Sequence, residues 1–470
     1  MKRTKIIATI GPATENPTII ANLIRAGVNV FRQNFSHDIP EMHTKRIRNI
    51  KKQAKALNMP VAILADLQGP KIRVGDLSEQ GMDLKRNQKV ILTIKNPEKG
   101  EIPIQYKSLP RDVSFGDILL LDDGKIELKV FDKNDFSIKA KVIVGGILKS
   151  FKGINLPTAS ISAPALTAKD KKDLELILKE GVDFIALSFV RSADDIIQLR
   201  KIIEQNKGSK PSIVAKIERH EAVENLNEII KASDAIMVAR GDLGVELMLE
   251  KVPVIQKEII KKTLSIGKPV IVATQMLESM MDNPRPTRAE VSDIANAVID
   301  GADAIMLSGE TSVGKYPLGC IKVMKKVSLD IEHWSRESGL MLGEATQHRR
   351  ESVVEILSKN AVRLAEKIKA RLIITATATG NTARQISKYR PSAPIMAVTH
   401  SEEVQKKLQL SWGILPFVIN FNKISELISK SMKRAQSIGI VKKGDLVVIT
   451  SGILRGVPGG TNLIEVVTVE

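Results

Sequence analysis

The chain has very few of the residues that build disulfide frameworks and zinc sites. Its 470 residues include one cysteine, Cys320, and six scattered histidines. One cysteine cannot form an internal disulfide, and it also excludes a cysteine-rich metal site. No HExxH or similar histidine pair is present, which argues against zinc.

Long apolar runs are also missing. None approaches the roughly 20 residues that a membrane-spanning helix needs. The first residues, MKRTKIIATIGPAT, are basic and then apolar, but the apolar part is too short for the core of a secretory leader. We interpret this segment as a first β-strand and predict a cytoplasmic protein with no membrane partner.

Aromatic residues make up only 3% of the chain, while Lys and Arg outnumber Asp and Glu by 71 to 53. The resulting charge of +18 favours anionic partners such as phosphorylated metabolites, nucleotides or nucleic acid. A solvated lysine surface is the simpler alternative. Because few aromatic side chains are available for base stacking, we predict no nucleic-acid partner.

Short β-branched runs alternate with helical segments along most of the chain. They are too apolar to face water and are typical of buried parallel strands. Eight of them can be counted: KIIATIG, VNVFRQNFS, VAILADLQG, DFIALSFV, SIVAKIE, AIMVARGD, VIVATQM and AIMLSGET. Eight strand–helix units predict an α/β fold built on a (β/α)₈ TIM barrel. A doubly wound open sheet is the alternative.

Two further domains are predicted from changes in this pattern. Residues 71–165 are rich in short alternating segments such as KVILTI and KIELKV, which predict a small β-barrel domain inserted as a lid. The catalytic barrel then comprises residues 1–70 and 166–345. Residues 346–470 alternate helices and strands again, which predicts a C-terminal α/β domain.

Polar residues stand at the ends of three apolar runs: Lys216 and Glu218, then Asp242, then Thr274. In such a barrel the carboxyl ends of the strands form the catalytic face. A lysine and two carboxylates there suit the handling of an anionic substrate with Mg²⁺, which needs few protein ligands. The alternatives are an ordinary Lys216–Glu218 ion pair and a capping role for Thr274.

Similar residues end the second and third runs. They are Arg32, Asn34, Ser36, His37, Asp66 and, slightly later, Arg73. Two arginines at a rim suit bidentate recognition of phosphate. In RGDLG, backbone N–H groups around Gly241 can bind a carboxylate or phosphate, although a plain β–α turn explains the same residues.

Three glycine-containing loops need separate consideration. The segment at 309–315, GETSVGK, nearly matches a phosphate loop but is followed by Tyr316 instead of a hydroxyl residue, so we interpret it as unrelated. TATATGNT at 375–382 and GVPGGTN at 456–462 can together cradle a phosphate in the last domain, or serve as simple turns.

The sequence resembles the pyruvate kinase family along essentially its full length. The motifs that carry the resemblance are NVFRQNFSH, DLQGPKIR, AKIERHEA, MVARGDLG and ATQMLESM…PRPTRAEVSDIANAV. The resemblance implies phosphoryl transfer from phosphoenolpyruvate to ADP, giving pyruvate and ATP. It also implies a homotetramer, an effector-binding C-terminal domain and a divalent ion, Mg²⁺ or Mn²⁺.

The resemblance also implies residue roles. Glu218 and Asp242 match the Mg²⁺ ligands, and Lys216 matches the lysine that stabilises the phosphoryl transition state. Gly241, Asp242 and Thr274 match the pyruvate-binding groups. Arg32 and Arg73 match the phosphate-contacting arginines, and the nucleotide side corresponds to Arg73 together with Asn34, Phe35, Ser36 and His37.

The chain departs from many relatives at the potassium site. Those relatives read DTKGPEIR and hold K⁺ at positions equivalent to Asn34, Ser36, Asp66 and the carbonyl of Leu67. Here Lys71 replaces the glutamate. We expect its ammonium to supply the positive charge of K⁺, so that activity is largely independent of K⁺, although Leu67 still offers a carbonyl.

A second departure lies in the effector loop. Relatives that are activated by a sugar bisphosphate often carry basic residues where this chain has Ala378 and Asn381. Hydroxyl and glycine residues remain as a cradle for one phosphate: Thr377, Thr379, Gly380 and Thr382. We expect a monophosphorylated activator such as AMP or a sugar monophosphate.

Two other functions remain open at this point. A magnesium-dependent, pyruvate-forming aldolase or decarboxylase also uses two carboxylates at a barrel mouth, but it needs no ADP. A basic nucleic-acid-associated protein would bind oligonucleotides in a salt-sensitive way without Mg²⁺.

Overall fold

The computed structural model describes residues 1–338, 351–452 and 461–470. The chain begins with β1 (Lys5–Thr9), α1 (Pro17–Ala26), β2 (Val30–Asn34), α2 (Pro40–Leu57) and β3 (Ala62–Asp66). Helix α1 has a capping residue at each end. The Asn16 side chain accepts from the N–H of Thr18, and Gly27 ends the helix at φ 115°, a conformation that glycine adopts readily.

A β-rich segment interrupts the barrel after β3. It contains β4 (Met82–Leu84), β5 (Lys89–Thr93), β6 (Ile102–Pro103), α3 (Leu109–Asp112), β7 (Ile118–Leu121), β8 (Ile126–Lys133), β9 (Ser137–Val144), β10 (Gly146–Leu148) and β11 (Ile154–Asn155). Strands β4 and β10 pair with each other, and the others form a sheet in the order β11-β7-β8-β9-β5-β6. This segment, called the lid below, has its own apolar core.

One short stretch connects the two edges of the lid sheet. Arg73 bridges to Gly153 beside β11, and Val74 bridges to Ile104 beside β6. The sheet therefore curls on itself, which agrees with the small β-barrel expected from the sequence. The backbone of Arg73 is therefore part of the lid sheet.

The chain then returns to the main barrel. It forms α4 (Ala168–Glu180), β12 (Phe184–Leu187), α5 (Ala193–Gln205), β13 (Ser212–Ile217), α6 (His220–Glu224), α7 (Leu226–Ala232), β14 (Ala235–Ala239), α8 (Arg240–Glu246), α9 (Val252–Ser265), β15 (Val270–Ala273), α10 (Arg288–Ile299), β16 (Ala304–Leu307), α11 (Gly309–Ser312) and α12 (Pro317–Ser338). Short 3₁₀ turns occupy Leu249–Lys251 and Glu278–Met281.

Eight parallel strands close into one barrel in the order β1-β2-β3-β12-β13-β14-β15-β16. The TIM-barrel prediction is confirmed, and the open-sheet alternative is wrong because β16 pairs back onto β1. Most barrel-strand residues are fully buried, as their apolar composition predicts. The carboxyl ends of all eight strands open at one mouth, which faces the lid.

The last domain contains α13 (Val353–Lys367), β17 (Leu372–Ala376), α14 (Asn381–Ser387), β18 (Ile395–Thr399), α15 (Glu402–Lys407), β19 (Ile414–Val418), α16 (Ile424–Ser437), β20 (Leu446–Gly452) and β21 (Thr461–Thr468), with a 3₁₀ turn at Leu408–Leu410. Its sheet order is β19-β18-β17-β20-β21, and only β21 is antiparallel to its neighbour. The predicted C-terminal α/β domain is confirmed.

A buried ion pair joins this domain to the base of the barrel. Arg390 donates from both terminal nitrogens to Asp303, at 3.2 Å each, and the backbone N–H of Trp412 donates to the same carboxylate at 2.9 Å. Asp303 directly precedes β16. At this junction the buried charge of Asp303 is compensated by Arg390, and that of Arg390 by Asp303. Within the described ranges, no helix is both long and apolar enough to cross a membrane.

Candidate active site

Lys216 is at the centre of the barrel mouth. Its Nζ lies 2.8 Å from Oε1 of Glu218 and 3.3 Å from Oδ1 of Asp66, and it donates to Oγ of Ser188 at 2.7 Å. Asp66 at the end of β3 and Lys216 in β13 therefore lie close together, as predicted for the ends of neighbouring strands. Ser188 was not anticipated, because no periodic pattern distinguishes it from a capping serine.

Asp66 receives a second cation. Nε of Arg32 donates to its Oδ2 at 2.7 Å. Burial raises the pKa of the Asp66 carboxyl, but Lys216 and Arg32 outweigh it and hold that pKa below its ordinary value. Burial lowers the pKa of Lys216, yet Asp66 and Glu218 more than reverse this effect and raise it. The lysine is therefore a fixed positive charge at neutral pH.

Glu218 experiences the opposite balance. Its carboxylate accepts from the backbone N–H of Phe189 at 2.7 Å. Burial raises the pKa of Glu218, Lys216 opposes this change, and the charge of Asp242 raises the pKa further. Asp242 is thus close enough to act on Glu218 electrostatically, and a cation between the two carboxylates would relieve their repulsion.

The two carboxylates do not form a complete metal site on their own. No three His, Cys, Asp or Glu side chains group as potential metal ligands among the residues that the structure describes. A divalent ion held by Glu218 and Asp242 would take its other ligands from substrate oxygens or water. This pattern is usual for Mg²⁺ at phosphate sites.

Thr274 is held directly beside helix α8. Its Oγ1 accepts from the backbone N–H of Gly241 at 2.7 Å and donates to the carbonyl of Ala273 at 2.6 Å. Thr274 has φ 69°, and a positive φ is a costly conformation for a β-branched residue. Such strain is typical of functional positions. The capping alternative is also partly right, because the Thr274 hydroxyl accepts from an N–H group in the first turn of α8.

The RGDLG segment differs in one respect from the prediction. It does not lead into a helix but forms the helix itself, since α8 begins at Arg240. Its first N–H groups therefore lie at the positive end of the helix dipole, and that of Gly241 donates to Thr274 Oγ1. Arg240 also fixes the neighbouring loop, because it pairs with Asp293 at 2.6 Å and donates to the carbonyl of Thr274 at 2.7 Å.

The end of β2 has two faces. Arg32 and Asn34 alternate with the buried residues Gln33 and Phe35. Oδ1 of Asn34 accepts from the backbone N–H of Ser36 at 3.1 Å, which shapes the turn. The predicted nucleotide residue Phe35 is 1% exposed, its backbone N–H donates to the Asp66 carbonyl at 2.9 Å, and its carbonyl accepts from Nζ of Lys169. It therefore supports the segment and does not face the mouth.

Several cations gather near His37. Burial lowers the pKa of the His37 imidazole, and the charges of Arg73, Lys71 and Arg32 lower it further. Arg73 donates to the carbonyl of Phe151 in the lid at 2.9 Å. The three predicted cations therefore lie within electrostatic reach of one exposed histidine.

Lys71 and Leu67 belong to the same side of the mouth. Lys71 lines a cleft of about 630 Å³ between the lid and the barrel, together with Asp123, Gly241 and Asp242. The Leu67 carbonyl, predicted as a K⁺ ligand, already accepts from Ser188 Oγ at 2.7 Å.

The loop that resembles a phosphate loop has a different structure. Residues 309–312 form the four-residue helix α11, and the buried Glu310 accepts from the N–H groups of Leu277 at 3.1 Å and Ser308 at 2.7 Å. A buried carboxylate inside the loop is unsuited to an anion. This geometry agrees with the interpretation of the segment as unrelated.

The expected effector loop lies in the C-terminal domain, before α14. The N–H of Gly380 donates to Thr377 Oγ1 at 2.9 Å, and that of Asn381 to Thr379 Oγ1 at 3.4 Å. Arg384, which the sequence analysis did not select, donates to the Thr379 carbonyl at 3.5 Å. Thr382 is buried at the start of α14. Residues 456–460 of the second predicted loop lie outside the described residues.

Comparison with known families matches most of the chain. The family model described as "Pyruvate kinase, barrel domain" matches residues 1–321, and "Pyruvate kinase, alpha/beta domain" matches residues 355–467.

Individual relatives match over nearly the full length of this chain. The chain is 44% identical to a pyruvate kinase of Clostridium acetobutylicum, covering 100% of both chains. It is 44% identical to one of Geobacillus stearothermophilus, over 99% of this chain and 80% of that one. A crystal structure of a pyruvate kinase from Cryptosporidium parvum matches with a TM-score of 0.92 and 38% identity, covering 100% of this chain and 96% of the other.

Proposed function

We infer the roles of the site residues from the premise that the chain belongs to the pyruvate kinase family. It transfers the phosphoryl group of phosphoenolpyruvate to ADP and produces pyruvate and ATP, the last step of glycolysis. The observation that carries the assignment of roles is the buried Lys216, which lies between Asp66 and Glu218 at the barrel mouth.

Lys216 stabilises the phosphoryl group during transfer. Phosphoryl transfer requires little covalent chemistry from the protein, so catalysis comes from positioning and from charges that are already in place. The ion pairs of Lys216 fix its ammonium before substrate arrives, so little reorganisation remains for the reaction itself.

Glu218 and Asp242 would hold Mg²⁺ or Mn²⁺. The set Asp66, Glu218 and Asp242 has three negative charges against two from Lys216 and Arg32. Burial raises the pKa of Glu218, and the charge of Asp242 raises it further. These residues therefore fit a divalent cation. When bound, it would neutralise charge on the phosphoryl and enolate oxygens.

Arg32 and Arg73 bind the phosphate from two sides. Arg32 is held rigidly by Asp66 and by Thr9, whose Oγ1 accepts at 3.1 Å. Arg73 reaches the site from the connection into the lid. Its contribution therefore depends on lid position, which suits a group that closes over bound substrate.

The carboxylate of phosphoenolpyruvate binds at the start of α8. The N–H of Asp242 lies in the first turn of the helix and favours an anion, and the N–H of Gly241, which donates to Thr274 Oγ1, adds to the positive end of the dipole. Thr274 lies beside them, and its hydroxyl serves the step in which the enolate carbon takes up a proton. The strained backbone of Thr274 is consistent with this role.

Asn34, Phe35, Ser36 and His37 form the nucleotide side, together with Arg73. The segment is exposed at His37 and is surrounded by cations that suit the phosphates of ADP. Lys71 supplies the charge that K⁺ provides in other members, and the engaged carbonyl of Leu67 supports a limited need for that ion. Asn34, Ser36 and Asp66 would be its remaining ligands.

A phosphorylated monoanionic or dianionic effector, AMP or a sugar monophosphate, binds at Thr377, Thr379, Gly380 and Thr382. The protein assembles as a homotetramer. Exposed apolar side chains beside α8 and α9 support an interface there, namely Met248 at 62%, Leu249 at 73% and Val254 at 66% exposure. The cytoplasmic location stays a prediction.

A coupled assay tests the reaction. Pyruvate should form from phosphoenolpyruvate only when ADP and Mg²⁺ are both present, and chelation by EDTA should abolish it. Turnover without ADP would favour the aldolase or decarboxylase alternative. Tight oligonucleotide binding without turnover would favour the nucleic-acid alternative.

A further inference from the structure

The outer face of β2 has a contact that none of the roles above explains. Gln33 and Phe35 point away from the mouth, and helix α2 packs against them through His43. His43 is 3% exposed, and its ring stacks on Phe35 with centroids 4.0 Å apart and an interplanar angle of 17°. The histidine thus supports the segment 34–37 from behind the barrel wall.

Both ring nitrogens of His43 face polar atoms. Nε2 lies 2.9 Å from the backbone carbonyl oxygen of His37, and Nδ1 lies 3.3 Å from Oε1 of Gln33. A carbonyl oxygen can only accept, so Nε2 must carry the proton. Burial lowers the pKa of His43, which favours the neutral ring and makes Nδ1 an acceptor.

That assignment conflicts with the side chain of Gln33 as placed. Oε1 of the amide is also an acceptor, so it cannot bond to an unprotonated Nδ1. Meanwhile the amide nitrogen Nε2 of Gln33 is buried and has no hydrogen-bond partner among the described residues. Turning the amide by half a rotation removes the conflict, because Nε2–H of Gln33 then donates to Nδ1 of His43.

We propose that Gln33 and His43 are positioning residues for nucleotide binding. The Gln33 amide donates to Nδ1 of His43 and fixes the Nε2–H tautomer, and that N–H holds the His37 carbonyl and hence the nucleotide segment 34–37. The inference rests on the proposed nucleotide site. It assigns a functional pair to the face of β2 that is turned away from substrate.

The proposal predicts a selective effect on ADP. His43→Phe retains a ring that can stack on Phe35 but removes both hydrogen bonds, so the KM for ADP should rise roughly tenfold, the cost of about one hydrogen bond. The KM for phosphoenolpyruvate and the kcat should change less than about twofold. His43→Gln, whose amide N–H reaches the position of Nε2, should restore most of the loss.

His333→Phe is the matched control, because His333 is 64% exposed on α12 and, within the described part of the chain, forms an ion pair only with Glu337. It should leave both KM values unchanged. A His43→Phe enzyme with an unchanged KM for ADP, or with equal changes for both substrates, would overturn the proposal. Wild-type enzyme that fails to turn over phosphoenolpyruvate and ADP would instead overturn the proposed function.

The tautomer of His43 can also be measured in the wild-type protein, which does not depend on the folding of any variant. In wild-type protein labelled with [¹⁵N]histidine, the His43 resonances should show a protonated Nε2 and an unprotonated Nδ1 at neutral pH. Gln33→Leu should weaken that preference and raise the KM for ADP. An imidazolium, or the Nδ1–H tautomer, would contradict the proposed pair.

Discussion

The hydroxyl oxygen of Thr274 accepts a 2.7 Å hydrogen bond from the backbone N–H of Gly241, which joins the end of β15 to the start of α8. One side chain thereby links the strained turn after β15 to the helix that carries Asp242. We expect both the positioning of α8 and the chemistry at the enolate to depend on it.

Thr274→Val should therefore lower kcat by roughly tenfold to hundredfold, because it removes the hydroxyl and leaves the Gly241 N–H unpaired. Thr274→Ser retains the hydroxyl and should stay within a few-fold of wild type. Steady-state kinetics with both substrates saturating measures the difference. Equal activity of the two variants would show that the hydroxyl has no role.

Lys216→Met should lower kcat by roughly three orders of magnitude, since it removes the ammonium beside the transferring phosphoryl group. The KM values should change much less, because Arg32 and Arg73 retain their contacts. Lys315→Met is the control, as Lys315 is 68% exposed and its one ion-pair partner among the residues that the structure describes is Asp282. A Lys216→Met enzyme with normal kcat would exclude the catalytic role.

Lys71 should make activity largely independent of K⁺. Wild-type activity in sodium-only or tetramethylammonium buffer is expected to approach that in potassium. Lys71→Glu should lose activity by about tenfold or more without K⁺, because one positive charge is replaced by a negative one, and K⁺ should restore it. A wild-type enzyme that needs K⁺ would contradict this expectation.

The effector loop should respond to a single phosphate. AMP or a pentose phosphate is expected to shift the saturation curve for phosphoenolpyruvate to lower concentration. Thr379→Ala should weaken that response by about tenfold while leaving basal activity intact, since one hydroxyl is lost from the cradle. If only a bisphosphate shifts the curve, the predicted class of activator is wrong.

Asp183 should make stability depend on pH. Burial raises the pKa of this carboxyl to about 6, although it accepts from the N–H of Ile63 at 2.8 Å. The folded state therefore binds the proton of Asp183 more tightly than the unfolded state does. The stability that this proton contributes is fully present below the pKa of the unfolded chain, and it is lost as the pH rises through about 6. The loss amounts to at most about 3 kcal/mol.

Asp183→Asn removes this titration. The variant should gain in melting temperature relative to wild type between about pH 4 and pH 8. If the melting temperatures of the two proteins differ by the same amount at pH 4 and at pH 8, the Asp183 carboxyl titrates normally. Turnover should be unaffected, because Asp183 lies at the base of the barrel.

The barrel and the residues at its mouth could be predicted because both depend on local sequence. Each strand is a short apolar run, and each candidate site residue stands at the polar end of such a run. The runs ending at Lys216 and Asp242 identify both the strand and the catalytic face. Ser188 and Arg240 were missed because each acts through a partner from a distant part of the chain. His43 was missed because its partners, although near in sequence, lie on a different element, β2 and the turn after it. The positive φ of Thr274 was also inaccessible, because threonine rarely adopts it and no residue pattern encodes it.

The Arg390–Asp303 pair limits how the molecule can be divided. A fragment that ends before the C-terminal domain would lose the guanidinium of Arg390 and the N–H of Trp412, which compensate the Asp303 carboxylate, and would expose the barrel base to water. The barrel and the C-terminal domain are therefore coupled through this junction. Chimeras between family members should tolerate a swap only when both halves of this junction come from the same parent.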